Sequence, residues 1–265
     1  MKMTIASLTI SLAVTSAVSH ALPCANRLGG SWNFGTVPYS CNVSPLQSPE
    51  FVRTQYAPVL FNDAHINNEG RRSYMSKMYP SIREMGHYYI HRRNPQVSVG
   101  EEEGFLAALY AVVSQESNWS HYRQGTDAII RSMRGDSLHG YGIMQIDDRA
   151  HATPVGQGKA TDLVGNLLLG LDQFYAEWVR SARVSCVPSA SDYRARARSA
   201  WAAYNGGSGS ICRWTNLRSA WAQNDSSFKA HYDGRSWISM VGDRNAKSPI
   251  NITCLAEGKR PCVNP

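Results

Sequence analysis

Residues 101–116 read EEEGFLAALYAVVSQE. Three glutamates open the run, where the positive end of a helix macrodipole favours negative charge. Phe105, Leu106, Leu109, Tyr110, Val112 and Val113 then recur at the spacing of one helix face. Glu116 follows three and four residues after Val113 and Val112 and seven after Leu109, so it projects from that apolar face. A carboxyl group there, near the helix C-terminus, would meet desolvation and the negative pole of the dipole together. Both favour the neutral acid, the state a general acid in glycoside cleavage requires.

Working outward, the pattern stays helical. A second helix is expected over about 160–182, where Leu163, Val164, Leu167, Leu168, Leu171, Phe174, Tyr175, Trp178 and Val179 form an apolar stripe. A third is expected over about 191–204, closing at Asn205-Gly206-Gly207. Upstream, 51–93 reads as helical but mixed, ending at the Asn94-Pro95 break. The Gly-punctuated stretch 125–142 holds too few periodic apolar residues for a core element, so a small sheet is expected only near 140–147. After 215 the pattern fades and the tail reads as loop-rich. The fold class expected is mainly α, with a small β-element beside the site and irregular N- and C-terminal segments.

Composition narrows the classes. The chain of 265 residues is 43% hydrophobic and 18% charged with a net charge of +7, which excludes a disordered tail or a collagen-like chain. No heptad seam or fixed-period repeat is present. Residues 1–21 have the layout of a signal peptide: Lys2, an apolar run from Ile5 to Val14, and small residues at Ser19 and Ala21. Beyond it no apolar run reaches the roughly 20 residues a bilayer requires. Export would place Cys24, Cys41, Cys186, Cys212, Cys254 and Cys262 in an oxidising compartment, where an even count suggests disulfides. Pairing of nearest neighbours is one option among fifteen. There is no C-x-x-C and no HExxH, so neither a metal nor a cofactor is expected. The basic residues are scattered, which suits an anionic polymer better than nucleic acid.

Two further blocks give Glu116 a context. Gly135-Asp136-Ser137-Leu138-His139-Gly140-Tyr141-Gly142-Ile143-Met144-Gln145-Ile146-Asp147 lies about twenty residues on, and Ala203-Tyr204-Asn205-Gly206-Gly207 ends the third helix. With Glu116-Ser117 after an apolar helix, these resemble, in the same order, the blocks of the goose-type lysozymes and, more distantly, of the soluble lytic transglycosylases. Arg149 and His151 extend the likeness, which covers roughly 105–215. The resemblance implies an α+β lysozyme-like fold. It also implies hydrolysis of the β-1,4 bond between N-acetylmuramic acid and N-acetylglucosamine. Glu116 would protonate the leaving oxygen, while Asp147 and Asp136 position or deprotonate water on the opposite face, giving inversion. Gln145, Tyr204, Asn205, Tyr141 and His151 would contact substrate, with Tyr204 holding the Glu116 carboxyl.

One departure stands out. The loop between Glu116 and Asp136 is longer than is usual in that family, and its Arg123, Arg131 and Arg134 are candidates for reshaping the cleft. The organisation expected is a signal peptide at 1–21, an N-terminal segment at 22–95 packed on a catalytic domain at 96–220, and a C-terminal extension at 221–265. The partner expected is the glycan strand of peptidoglycan, with no nucleic acid, no membrane after signal removal, and a monomeric state. Two alternatives stay open. One is a lytic transglycosylase forming 1,6-anhydro ends, against which Asp147 argues. The other is an inactive lysozyme-fold protein that only binds glycan or a partner.

Overall fold

A computed structural model describes residues 48–135 and 139–265. The signal peptide read at 1–21, Cys24, Cys41 and Asp136 lie outside the described residues. The helices are α1 (Pro49–Gln55), α2 (Asn68–Arg93), α3 (Val99–Ser117), α4 (Ala152–Gly156), α5 (Leu163–Ser181), α6 (Tyr193–Gly206), α7 (Ala222–Gly234) and α8 (Ile252–Ala256). The strands are β1 (Leu60–Asn62), β2 (Tyr122–Gln124), β3 (Ile130–Ser132), β4 (Arg134–Gly135), β5 (Gly140–Tyr141) and β6 (Ile146–Asp147). The fold is mainly helical with small sheets, as the periodicity predicts. No described helix is long and apolar enough to cross a membrane.

The helix starts follow from local chemistry. Ser98 caps α3 by accepting from the Glu101 N–H at 3.3 Å, and Asp192 caps α6 by accepting from the Ala195 N–H at 2.9 Å. Asp162 caps α5 and does more. Its carboxylate accepts from the Val164 and Gly165 N–H groups, from the Tyr56 hydroxyl and from Arg260. One buried acid thus ties α1 and the C-terminal tail to the start of α5.

The helix of residues 101–116 differs from its expected form. Phe105 through Ser114 are buried without a break, so α3 is covered on every side rather than along one stripe. Ala107, Ala108 and Ala111 alternate with the larger residues and allow that enclosure. On one side, α2 approaches so closely that a Cβ on Gly86 would sit 2.5 Å from Leu106 Cδ2. On another, Phe105 meets Phe174, Tyr175 and Trp178 of α5 with ring centroids 5.8–6.0 Å apart. α6 and α7 close the rest, with Trp201 and Phe228 stacked parallel at 4.8 Å.

Two regions depart from the sequence reading. The tail expected to be loop-rich contains α7, which packs on α3 and α6 and buries Phe228 and Tyr232. Its apolar residues are few, and Lys229, His231 and Asp233 obscure the periodicity. The stretch 125–142 also enters a core element. β3 pairs antiparallel with β2, and β2 pairs parallel with β1 in the register Leu60↔Tyr122. The three loop arginines are therefore used internally. Arg123 is buried against Asp63, Arg131 pairs with Asp127, and Arg134 lies over the Tyr141 ring at 4.3 Å. The expectation that they reshape the cleft is corrected: each guanidinium is spent on the sheets. A second sheet, the antiparallel meander β4-β5-β6, follows in the register Arg134↔Tyr141 and Gly140↔Asp147.

Disulfides join Cys186 to Cys212 and Cys254 to Cys262. The first links the segment after α5 to the segment after α6, and the second closes the C-terminal turn after α8. Both are the nearest-neighbour option.

Candidate active site

The C-terminal end of α3 is held rigidly. Asn118 and Trp119 both adopt the left-handed conformation, with φ of 49° and 67°. Their N–H groups return to the Ser114 and Val113 carbonyls, which stops the helix at Ser117, one residue past Glu116. Such backbone is uncommon for non-glycine residues and must be held by its surroundings. The Trp119 ring supplies the anchor, buried among Tyr79, Tyr110 and Trp237, while its carbonyl accepts from the Tyr74 hydroxyl at 2.9 Å.

Glu116 opens from this end, half-buried, into a cleft of about 690 Å³. The cleft brings together Glu116, Gln145, Asp147, His151, Tyr204 and Asn205, so six of the eight predicted catalytic and substrate-contacting residues line one cavity. They arrive from α3, the β6 turn and the end of α6. Asp136 lies outside the described residues. Tyr141 does not line the cleft: it is 4% exposed, and its hydroxyl accepts from Arg134 at 2.5 Å and faces Asp148 at 3.4 Å. Its expected contact with substrate is corrected for that reason. In β5 the side chain points to the arginine-covered face of the meander.

The turn leading to Asp147 is built by buried polar groups that the sequence reading missed. Gly142 has φ of +68°, and a Cβ on it would lie 2.4 Å from Asn166 Nδ2 and 2.8 Å from His121 Cε1. Asn166 is fully buried on α5. Its Oδ1 accepts from the Met144 N–H at 2.8 Å, and its Nδ2 donates to the Tyr141 and Ala160 carbonyls at 2.7 Å each. His121 Nδ1 accepts from the Ile143 N–H at 3.1 Å, so its proton sits on Nε2, 3.2 Å from the Thr161 carbonyl. Burial pushes this imidazole down to about 4. The glycines at 140 and 142 therefore serve the protein's own side chains. A Cβ on Gly135 or Gly140 would strike Gln145 Oε1 at 2.2 or 2.3 Å, which locates the Gln145 amide over the meander.

Asp147, Tyr204 and Asn205 each have an internal partner. Asp147 takes a two-point contact from Arg149, with Nε 2.9 Å from Oδ1 and Nη2 2.5 Å from Oδ2, and it also accepts from the Arg149 N–H at 2.8 Å. These bonds hold its carboxyl below the usual carboxylate range, against the opposing effect of partial burial. The Tyr204 hydroxyl donates to the Met144 carbonyl at 2.5 Å. Burial, together with the negative charge of Glu116, pushes that phenol well above its ordinary value. It stays a neutral hydroxyl. Asn205 Oδ1 accepts from Arg213 at 3.2 Å and from Asn224 at 2.9 Å.

The far wall contains further residues absent from the sequence reading. Glu177 of α5 is paired with Arg180 at 3.2 Å and accepts from the Ser208 hydroxyl. Trp221 is 55% exposed at the rim, with Arg213 over its ring at 5.4 Å. Gln115 donates to Asn224 at 2.8 Å. Trp221 and Asn224 reach the cleft because α7 packs beside α3, which the weak periodicity of 221–234 conceals. Scans against protein-family models, curated proteins and solved structures return no match for this chain.

Proposed function

We propose that this protein is a glycoside hydrolase acting on peptidoglycan, lysozyme-like in fold and of goose-lysozyme type in its site. The observation that carries the proposal is the convergence of three sequence blocks, distant along the chain, on one cleft with Glu116 in its wall. The cleft suits a polymer strand, with three carboxyl groups, several amides and an exposed indole able to stack on a sugar face. The two disulfides suit an oxidising compartment, in keeping with an exported chain.

In this reading Glu116 gives its proton to the glycosidic oxygen. Asp147 stays charged, because the Arg149 bonds oppose its protonation. A carboxylate so held is a weak base. It acts by orienting water and by countering positive charge on the sugar ring, not by strong proton abstraction. Tyr204 fixes the Met144 carbonyl and so the loop that carries Gln145 and Asp147.

The same Arg149 pair favours a second reading. In a lytic transglycosylase Glu116 would act alone, first as acid and then as base, and the muramic C6 hydroxyl would replace water. Product analysis of digested peptidoglycan separates the two: reducing muramic ends are expected, and 1,6-anhydro ends would establish the second reading. Absence of any cleavage would reject both. Asp147→Asn adds a check, since it should cripple the hydrolase and leave a transglycosylase largely active.

A further inference from the structure

A second cluster of chemistry-bearing side chains lies at the opposite end of α3 from Glu116. His87 and His91 are four residues apart on α2, so their rings project from one face of that helix. Glu102 faces them from the first turns of α3. Its Oε1 takes contacts from both rings: His87 Nδ1, and His91 Nε2 at 2.8 Å. The three potential ligand atoms all lie within 4.8 Å of one another. Three lone-pair donors thus converge on one point from two helices.

We propose that His87, His91 and Glu102 form a binding site for a borderline divalent transition ion, Zn²⁺ above all. Two imidazoles and one carboxylate are a ligand set that suits this class of ion, and a fourth position is left for water. Around a tetrahedral ion with bonds of about 2.0–2.1 Å, neighbouring ligand atoms stand roughly 3.4 Å apart. The close Glu–His separations must open slightly and the widest must close, which small side-chain rotations achieve. The groups have that freedom, since the His87 and His91 side chains are 43% and 50% exposed. In the bound form each ring carries its remaining proton on the other nitrogen, Nε2 of His87 and Nδ1 of His91.

The position defines what such a site does. It bridges α2 and α3 across the Asn94–Ser98 turn, so the ion clamps two core helices. Fourteen residues of helix separate Glu102 from Glu116, roughly 21 Å at 1.5 Å per residue, so the ion takes no part in chemistry at the cleft. The arrangement has no sequence signature of the HExxH kind, because the third ligand comes from a different helix.

Titration of Zn²⁺ into the full-length, untagged chain tests the proposal. One ion per chain is expected, with affinity falling about 100-fold in His91→Ala and about tenfold in Glu102→Gln. Because both rings are at the surface, these variants should keep the wild-type circular dichroism. Ring-nitrogen NMR adds a site-specific readout: His87 Nδ1 and His91 Nε2 should shift on binding, and the other histidines should not. No binding at 100-fold excess over protein, or unchanged affinity in the His87→Ala/His91→Ala double variant, would overturn the assignment.

Discussion

His121 shows how one side chain can hold the turn that leads to Asp147. It is fully buried and accepts from the Ile143 backbone through a neutral ring, and burial lowers its pKa from 6.5 to about 4. The unfolded chain binds a proton at that ring near pH 6.5, whereas the folded chain does so only near pH 4. Between those values the unfolded state holds more protons, so stability falls as pH falls. The loss attributable to this ring is about 3 kcal/mol across the window. Denaturant unfolding from pH 7 to pH 4 should show a steeper decline for the wild type than for His121→Gln; equal slopes would remove the account of the turn. Asp147 has the same sign in a more acid window. Its depressed carboxyl contributes stability that persists well into acid and is lost only as pH falls through its lowered value.

Among the elements, the contact between α5 and the Met144 turn tolerates little added volume. A Cβ on Gly170 would lie 2.6 Å from Met144 Cβ, and the Met144 carbonyl is the acceptor for Tyr204. Gly170→Ala should therefore cost about 1–3 kcal/mol and reduce cleft activity along with it. The check is a thermal melt paired with a wall-lysis assay, and a variant as stable and active as wild type would show that the turn has slack. The strong apolar stripe of α5 and the cap at the end of α6 were readable because burial follows helical periodicity there. α7 was not: its contribution to the core rests on Phe228 and Tyr232 within a polar run. The hairpin of β2 and β3 escaped notice for another reason. Its buried positions include Arg123 and Arg131, charged residues that read as loop; Arg131 is paired locally with Asp127, but Arg123 is neutralised by Asp63, sixty residues away.

Across the molecule, the enclosed helix α3 links the two functional proposals, with the cleft at its C-terminal end and the His-His-Glu cluster near its start. Most of the cleft was legible because its blocks are short and local, whereas Trp221, Asn224 and Glu177 join it only through helix packing. The Cys186–Cys212 bond closes a loop spanning 26 residues and secures the segments behind α5 and α6. Replacing both cysteines by serine should cost about 3 kcal/mol by the chain-entropy relation, seen as a lower denaturant midpoint; an unchanged midpoint would mean that packing alone holds the α5–α6 pair. The central claim is that a single carboxyl at the end of α3 supplies the proton for bond cleavage. Its most direct test is the turnover of purified peptidoglycan by Glu116→Gln, in a variant whose unfolding midpoint matches wild type. The account predicts a fall of about 10²–10⁴-fold, the usual worth of a general acid. Turnover near the wild-type rate would contradict it.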